Sequence, residues 1–350
     1  MALFVFGAGA TRGCSFVDPR KFACLPPLDR DFFTQLQRIS NPKHRDLVRD
    51  VMDDVVQLFG YNFDVTMETV FTTLEHSIRM LKTTGTHWDF SQEELKAKRD
   101  RLEQAIAAVL EESLTENVGG ASSLTAKNCD HHATFVWQRL KEEDVIVTFN
   151  YDCLLDFSLK NHGTGKWNAR YGYGFNLGKW GKRLDGHQFW QPKKPASEGD
   201  TVRLFKLHGS LHFDITGPEK SSHVHLKQRP YTKQAGTRLR FSIIPPEWMK
   251  QFDRGAFGTL WAKASTAIHQ ARHIVLIGYS LPATDLHSTA LFRTSVRRER
   301  LNSVVVVNPD RETRRRTRSV LQRGLNPATK VLSFDSLPEF LAVDRSVWEV

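Results

Sequence analysis

Two hydrophobic periods alternate along this chain, and the places where one gives way to the other divide it. Residues 3–6, 145–149, 202–207, 273–277, 304–307 and 330–334 are largely apolar runs of strand length, the pattern of strands buried on both faces. The first run ends at Gly7-Ala8-Gly9-Ala10-Thr11, a tight turn out of a strand toward a helix or a ligand loop. Among the later runs, helical patterns fall between the strands. That rhythm predicts a parallel sheet with helices on both faces.

Residues 31–143 follow a helical period instead. Leu47, Val48, Val51, Met52, Val55, Leu58 and Phe59 share one helix face that Gly60 can end, and Val70, Phe71, Leu74, Ile78 and Leu81 make a second. Ser91 with Glu94 forms a capping box ahead of a third helix carrying Leu95, Leu102, Ile106, Val109 and Leu110. A fourth helix is expected around Phe135, Val136 and Leu140. The expected organisation is a sheet built from 1–30 and 144–350, with an all-helical insertion over 31–143. Residues 160–200 keep no period and hold Gly163, Gly165, Gly172, Gly174, Gly178, Gly181 and Gly186 with Trp167, Trp180 and Trp190. A substrate-facing lid and an ordinary surface excursion both fit such a segment. No internal repeat is evident.

Composition narrows the class without naming a function. At 350 residues, 40% hydrophobic, with mean hydropathy −0.41, the chain can bury a core and does not resemble a disordered one. No apolar stretch approaches the roughly 20 residues of a membrane-spanning helix. The first residues lack a basic leader and read as a strand, so no membrane partner is expected and a cytoplasmic location is. Cys14, Cys24, Cys129 and Cys153 form no CxxC pair, which argues against a disulfide framework and a structural zinc site. The net charge of +10 favours anionic partners: NAD, nucleic acid or an acidic protein surface.

The chemistry-bearing residues fall at the ends of the apolar runs. A glycine turn after a first strand lets the backbone approach a pyrophosphate closely, although Gly7-Ala8-Gly9 lacks the third glycine of the dinucleotide fingerprint. The next run ends in Thr148-Phe149-Asn150-Tyr151-Asp152, and the one after the irregular excursion in Lys206-Leu207-His208-Gly209-Ser210. Later runs end in Gly278-Tyr279-Ser280-Leu281-Pro282, with Asp285 behind, and in Asn308-Pro309-Asp310. Each has a plain structural reading: Asn150 and Asp152 as helix caps, His208 as a hydrogen-bonded core histidine, and 308–310 as a turn and N-cap. Five polar strand ends on one sheet edge, however, make a ligand crevice.

In this order the motifs resemble the SIR2 family, and its bacterial SIR2-like NAD hydrolases more closely than the protein-deacylating sirtuins. The resemblance rests on the GAG loop at Gly7 to Gly9, the TxNxD motif at Thr148 to Asp152, and His208-Gly209. Gly278 to Pro282, Asn308-Pro309, and Ile243-Ile244-Pro245-Pro246 with Trp248 and Lys250 complete the set. It implies a Rossmann-like sheet and NAD+ as substrate. Gly7, Ala8, Gly9 and Thr11 would cradle the phosphates, with Gly278 and Ser280 closing on them, and Asn308 would meet the adenosine ribose. Asp152 would face the nicotinamide carboxamide, Asn150 would hold the adjoining ribose and position a water, and His208 would act as general base. The implied reaction is hydrolysis of NAD+ to nicotinamide and ADP-ribose. The implied role is antiphage defence by a homo-oligomer, silent until triggered, with a separate activator such as a HerA-like ATPase.

The four-cysteine zinc module of sirtuins is absent, and Phe149 stands where sirtuins usually carry Gln, which weakens deacylation. A peptide-dependent deacylase and a non-catalytic NAD or nucleic-acid-binding subunit remain as alternatives. The arginines at 311, 314, 315, 316 and 318 read as a solvated helix face or a partner surface. His131-His132 and the His223/His225 pair suggest a metal only weakly, because no Cys or carboxylate cluster is seen to complete a site, so none is expected.

Overall fold

The computed structural model describes residues 1–85, 89–117, 124–175, 177, 186–216, 223–231, 239–246, 255–282 and 285–349. Six strands form a parallel sheet: β1 (Ala2–Phe6), β2 (Val145–Thr148), β3 (Arg203–Lys206), β4 (His273–Ile277), β5 (Ser303–Val307) and β6 (Lys330–Phe334). Their order across the sheet is β6-β5-β4-β1-β2-β3. The chain thus winds outward from β1 in one direction, then restarts at β4 and winds in the other. The crevice between β1 and β4 is the point where strand order reverses, the place where doubly wound sheets hold ligands.

Register sharpens this. Phe6 lies opposite both Ile277 and Thr148, Thr148 opposite Lys206, Ile277 opposite Val307, and Val307 opposite Phe334. The last residues of all six strands therefore form one row, and every following loop leaves from the same edge. Every residue of β1, β2, β4 and β5 is buried, as continuous apolar runs covered on both faces require. At the opposite edge, fully buried Asp144 accepts Ala2 N–H at 2.8 Å and a two-pronged contact from Arg345, at 2.6 and 3.0 Å. That contact ties the C-terminal turn to the start of β2.

The crossover from β1 to β2 contains α1 (Ala8–Arg12), α2 (Phe32–Gln37), α3 (Arg45–Phe59), α4 (Met67–Thr84), α5 (Gln92–Leu114) and α6 (Asp130–Thr134). Gly60 ends α3 at φ +85°, and Ser91 caps α5 reciprocally: its Oγ accepts Glu94 N–H while Glu94 Oε2 accepts Ser91 N–H. Asp54 on α3 binds Lys98 and Arg101 on α5, at 2.8 and 2.7 Å, clamping the two helices. The insertion is not purely helical, because Thr115–Glu116 pairs antiparallel with Thr125–Ala126, and Phe135–Arg139 is a π-helical turn. One buried apolar cluster runs from the sheet into α2 to α5.

Beyond β2 come α7 (Leu154–His162) and α8 (Ala169–Gly172). After β3, α9 (Gly255–Gln270), α10 (Leu286–Ser295), α11 (Arg311–Val320) and α12 (Leu337–Ala342) alternate with the strands. In the irregular excursion, Trp167 and Trp190 are fully buried, the first donating to Trp190 O and the second to Lys227 O, both at 3.1 Å. These tryptophans anchor the excursion to the core. Trp180, Gly178 and Gly181 lie outside the described residues, as do Trp248 and Lys250.

Candidate functional site

The loops after β1 and β4 meet backbone to backbone. Gly7 N–H donates to Ile277 O at 3.1 Å and Gly9 N–H to Gly278 O at 2.9 Å. Gly278 has φ +61°, and a Cβ there would lie 2.0 Å from Ala10 N; Cβ atoms on Gly7 and Gly9 would come within 2.8 Å of the Gly278 carbonyl oxygen. The glycines are thus required for one loop to press against the other. The N–H groups of Gly7, Gly9 and Ala10 already have protein acceptors, so Ala8, the exposed residue of the turn, presents the N–H without one among the described residues.

Asn150, Thr11 and Asp152 form a directed chain. Asn150 Nδ2 donates to Gly7 O at 3.0 Å and to Thr11 Oγ1 at 3.1 Å, and Thr11 Oγ1 donates to Asp152 Oδ2 at 2.7 Å. A carbonyl can only accept, so Gly7 O fixes which end of the Asn150 amide carries the hydrogens. The amide oxygen, Oδ1, is left with no donor among the described residues. Thr148 Oγ1 holds Asn150 N–H at 3.1 Å. Asp152 is buried, and its second oxygen accepts Leu154 N–H at 3.0 Å at the start of α7. Both of its oxygens are therefore committed inside the protein, where it orients Thr11 and holds the Leu154 N–H, while Cys153 is the N-cap of α7.

His208 follows β3, and the next residue, Gly209 at φ +81°, lies against Ser242 so closely that no Cβ fits. The His208 ring is buried among Phe149 (5.0 Å between centroids), Tyr151 (6.3 Å) and Trp261 (6.4 Å). Phe149 also stacks on Tyr279 at 4.4 Å and 16°. Phe149, which departs from the sirtuin pattern, is thus the ring that joins the β3 side of the crevice to the β4 side. Behind it, fully buried Lys206 binds Asp156 at 2.7 Å and the Asp152 carbonyl at 2.5 Å. Burial opposes the Lys206 charge, but the acidic groups around it, Asp156 foremost, together outweigh that cost and hold the ammonium above the usual lysine range.

Tyr279 donates to Asp285 at 3.0 Å, and Asp285 caps α10 through Ser288. Ser280 is exposed, and its carbonyl accepts Arg316 from α11 at 3.2 Å, as does that of Leu281 at 3.1 Å. Asn308 Oδ1 accepts Asp310 N–H at 2.9 Å, and Arg314 donates to Asn308 O at 2.8 Å and pairs with Asp335. Asp310 caps α11. Arg314 and Arg316 are therefore internal fasteners of the two outer loops, a role the basic run did not disclose. Gly7, Thr11, Asn150, Asp152 and Gly278 are brought together directly; His208 joins them through Phe149, and Ser280 and Asn308 sit on the neighbouring loops of the same edge.

A family model described as SIR2-like domain matches residues 144–327, more than half of the chain. The matched span holds Asn150, Asp152, His208, Gly278, Ser280 and Asn308, while β1 and its glycine turn precede it. No curated protein matches the chain.

Proposed function

The chain belongs to the SIR2-like domain family, and from that premise and the geometry of the crevice we propose that it hydrolyses NAD+ to nicotinamide and ADP-ribose. The observation that carries this reading is Asn150, an uncharged amide whose nitrogen is held by Gly7 O and Thr11 Oγ1 beside the strand-order reversal, which leaves its oxygen without a donor among the described residues. Breaking the nicotinamide–ribose bond develops positive charge on the sugar, so a fixed amide dipole with its oxygen toward that charge stabilises it where a cation would oppose it.

In this reading the Gly7–Gly9 turn and the Gly278–Ser280 loop flank the pyrophosphate, Ala8 supplies the open N–H, and Asn308 meets the adenosine ribose. Asn150 Oδ1 accepts from a ribose hydroxyl or the attacking water. Asp152 acts through Thr11, holding the Asn150 amide in place. His208 is the general base, and such help is typically worth about 10²–10⁴ in rate. The aromatic wall of Phe149, Tyr151, Trp261 and Tyr279 limits water around it.

Unchecked NAD+ hydrolysis depletes a cell, so this activity fits antiphage defence by an assembly that is switched on by oligomerisation or a separate activator, such as a HerA-like ATPase. The purified chain, alone and with a candidate activator, is assayed with NAD+, with and without an acyl-lysine peptide. Nicotinamide release without peptide supports hydrolysis; release only with peptide establishes a deacylase instead.

A further inference from the structure

Four cysteines scattered through the sequence conceal a cluster. Cys14, just beyond α1, meets Cys129 and His132, which frame the first turn of α6, and all three side chains are buried. His132 Nδ1 lies 3.1 Å from Cys129 Sγ and 3.7 Å from Cys14 Sγ, and the three donor atoms lie within 4.8 Å of one another. One tetrahedral zinc ion with S and N ligands at about 2.3 and 2.1 Å sets their separation near about 3.6 Å. The observed spacings bracket that value. The expectation that no cysteine accompanies His131-His132 is therefore corrected: the fold brings two to His132 across sequence separations of 118 and 3 residues.

We propose that Cys14, Cys129 and His132 bind a thiophilic divalent cation of the zinc class, with solvent from the cavity over Cys129 as the fourth ligand. That cavity, about 310 Å³, is lined in part by Lys127, Asn128, Cys129, Ala133 and Ser158. Binding the cation displaces the thiol protons to solvent and leaves two thiolates and a neutral imidazole on the metal. A second cluster, Cys153, Asp156 and His212, already holds the Lys206 ammonium on Asp156 at 2.7 Å, which disfavours a cation there.

The ion would fasten α1, and with it the Gly7–Gly9 turn, to α6 and the end of the insertion. The test is metal analysis of the full-length protein incubated with zinc and dialysed. Wild type and Cys153→Ser are expected to retain one zinc per chain, and Cys129→Ser and His132→Ala to fall to background. Cobalt added to wild type is expected to give a thiolate-to-cobalt charge-transfer band, a readout that stands even if the variants fail to fold. Wild type without bound zinc or without that band, zinc retained equally by Cys129→Ser and His132→Ala, or a Cys14–Cys129 disulfide in the isolated protein each overturns the proposal.

Discussion

Thr11 and Asn150, 139 positions apart in sequence, are joined by a 3.1 Å hydrogen bond where the strand order of the sheet reverses. The bond spans the whole helical insertion. It couples the glycine turn after β1 to the polar end of β2, and it fixes the direction of the Asn150 amide.

Replacing Thr11 by Val keeps the shape but removes the hydroxyl, leaving Asn150 Nδ2 and Asp152 Oδ2 each short of a partner. The expected destabilisation is about 1–3 kcal/mol, with nicotinamide release reduced at least about tenfold because the amide loses its anchor. Thr11→Ser retains both bonds and is expected to restore turnover. Denaturant unfolding and kcat for the two variants check this, and a Val variant with wild-type kcat excludes the positioning role.

Gly278 and Gly60 both have positive φ, but only Gly278 is crowded: a Cβ at Gly60 meets nothing within 4 Å, whereas one at Gly278 meets Ala10 N at 2.0 Å. Gly60→Ala is expected to cost about 1–3 kcal/mol from its positive-φ, extended backbone alone. Gly278→Ala adds a backbone clash, so it is expected to cost more and to weaken NAD+ binding by separating the two loops. Equal losses of stability in the two variants contradict the packing argument.

His212 carries a pH dependence. It lies buried beside Asp156 and Tyr173, and burial, helped by the nearby Lys206 charge, pulls it from 6.5 down to about 3. Its folded value lies below the unfolded one, so the unfolded chain takes up a proton that the native state refuses, and stability falls as pH drops below about 6.5. At pH 5 the loss relative to pH 7 is on the order of 2 kcal/mol. Asp156, whose charge burial opposes but the Lys206 ammonium favours, is held below its usual value, is ionised in both states over this window and adds nothing. Denaturant unfolding at pH 7 and pH 5 is expected to show a smaller loss for His212→Gln than for wild type; an equal loss rules out His212 as the source.

Much of the fold was legible because it follows from local pattern. The strand runs match β1 to β6 to within a residue or two, and the Ser91/Glu94 box and Gly60 stop sit where spacing puts them. The polar strand ends were legible as a set because a parallel sheet brings such ends to one edge. Contacts made across the topology were not. Arg316 reads as one more charge on an exposed helix, yet it grips the Ser280 and Leu281 carbonyls. Cys14 and Cys129 show no ligand spacing, because the insertion that separates them in sequence folds back on itself. The glycines read as room for a phosphate, and what a Cβ on each would first meet is the backbone of the facing loop: Tyr279 from Gly7, Gly278 from Gly9 and Ala10 from Gly278.

The central claim is that Asn150 performs the cleavage, and nicotinamide release from NAD+ without peptide, compared between wild type and Asn150→Ala, tests it most directly. Loss of the bonds to Gly7 and Thr11 is expected to lower stability by about 1–3 kcal/mol, so both proteins are assayed well below their unfolding midpoints. Release by the wild type and a fall of about 10²-fold or more in Asn150→Ala is the predicted result. A folded Asn150→Ala that releases nicotinamide at the wild-type rate contradicts the account.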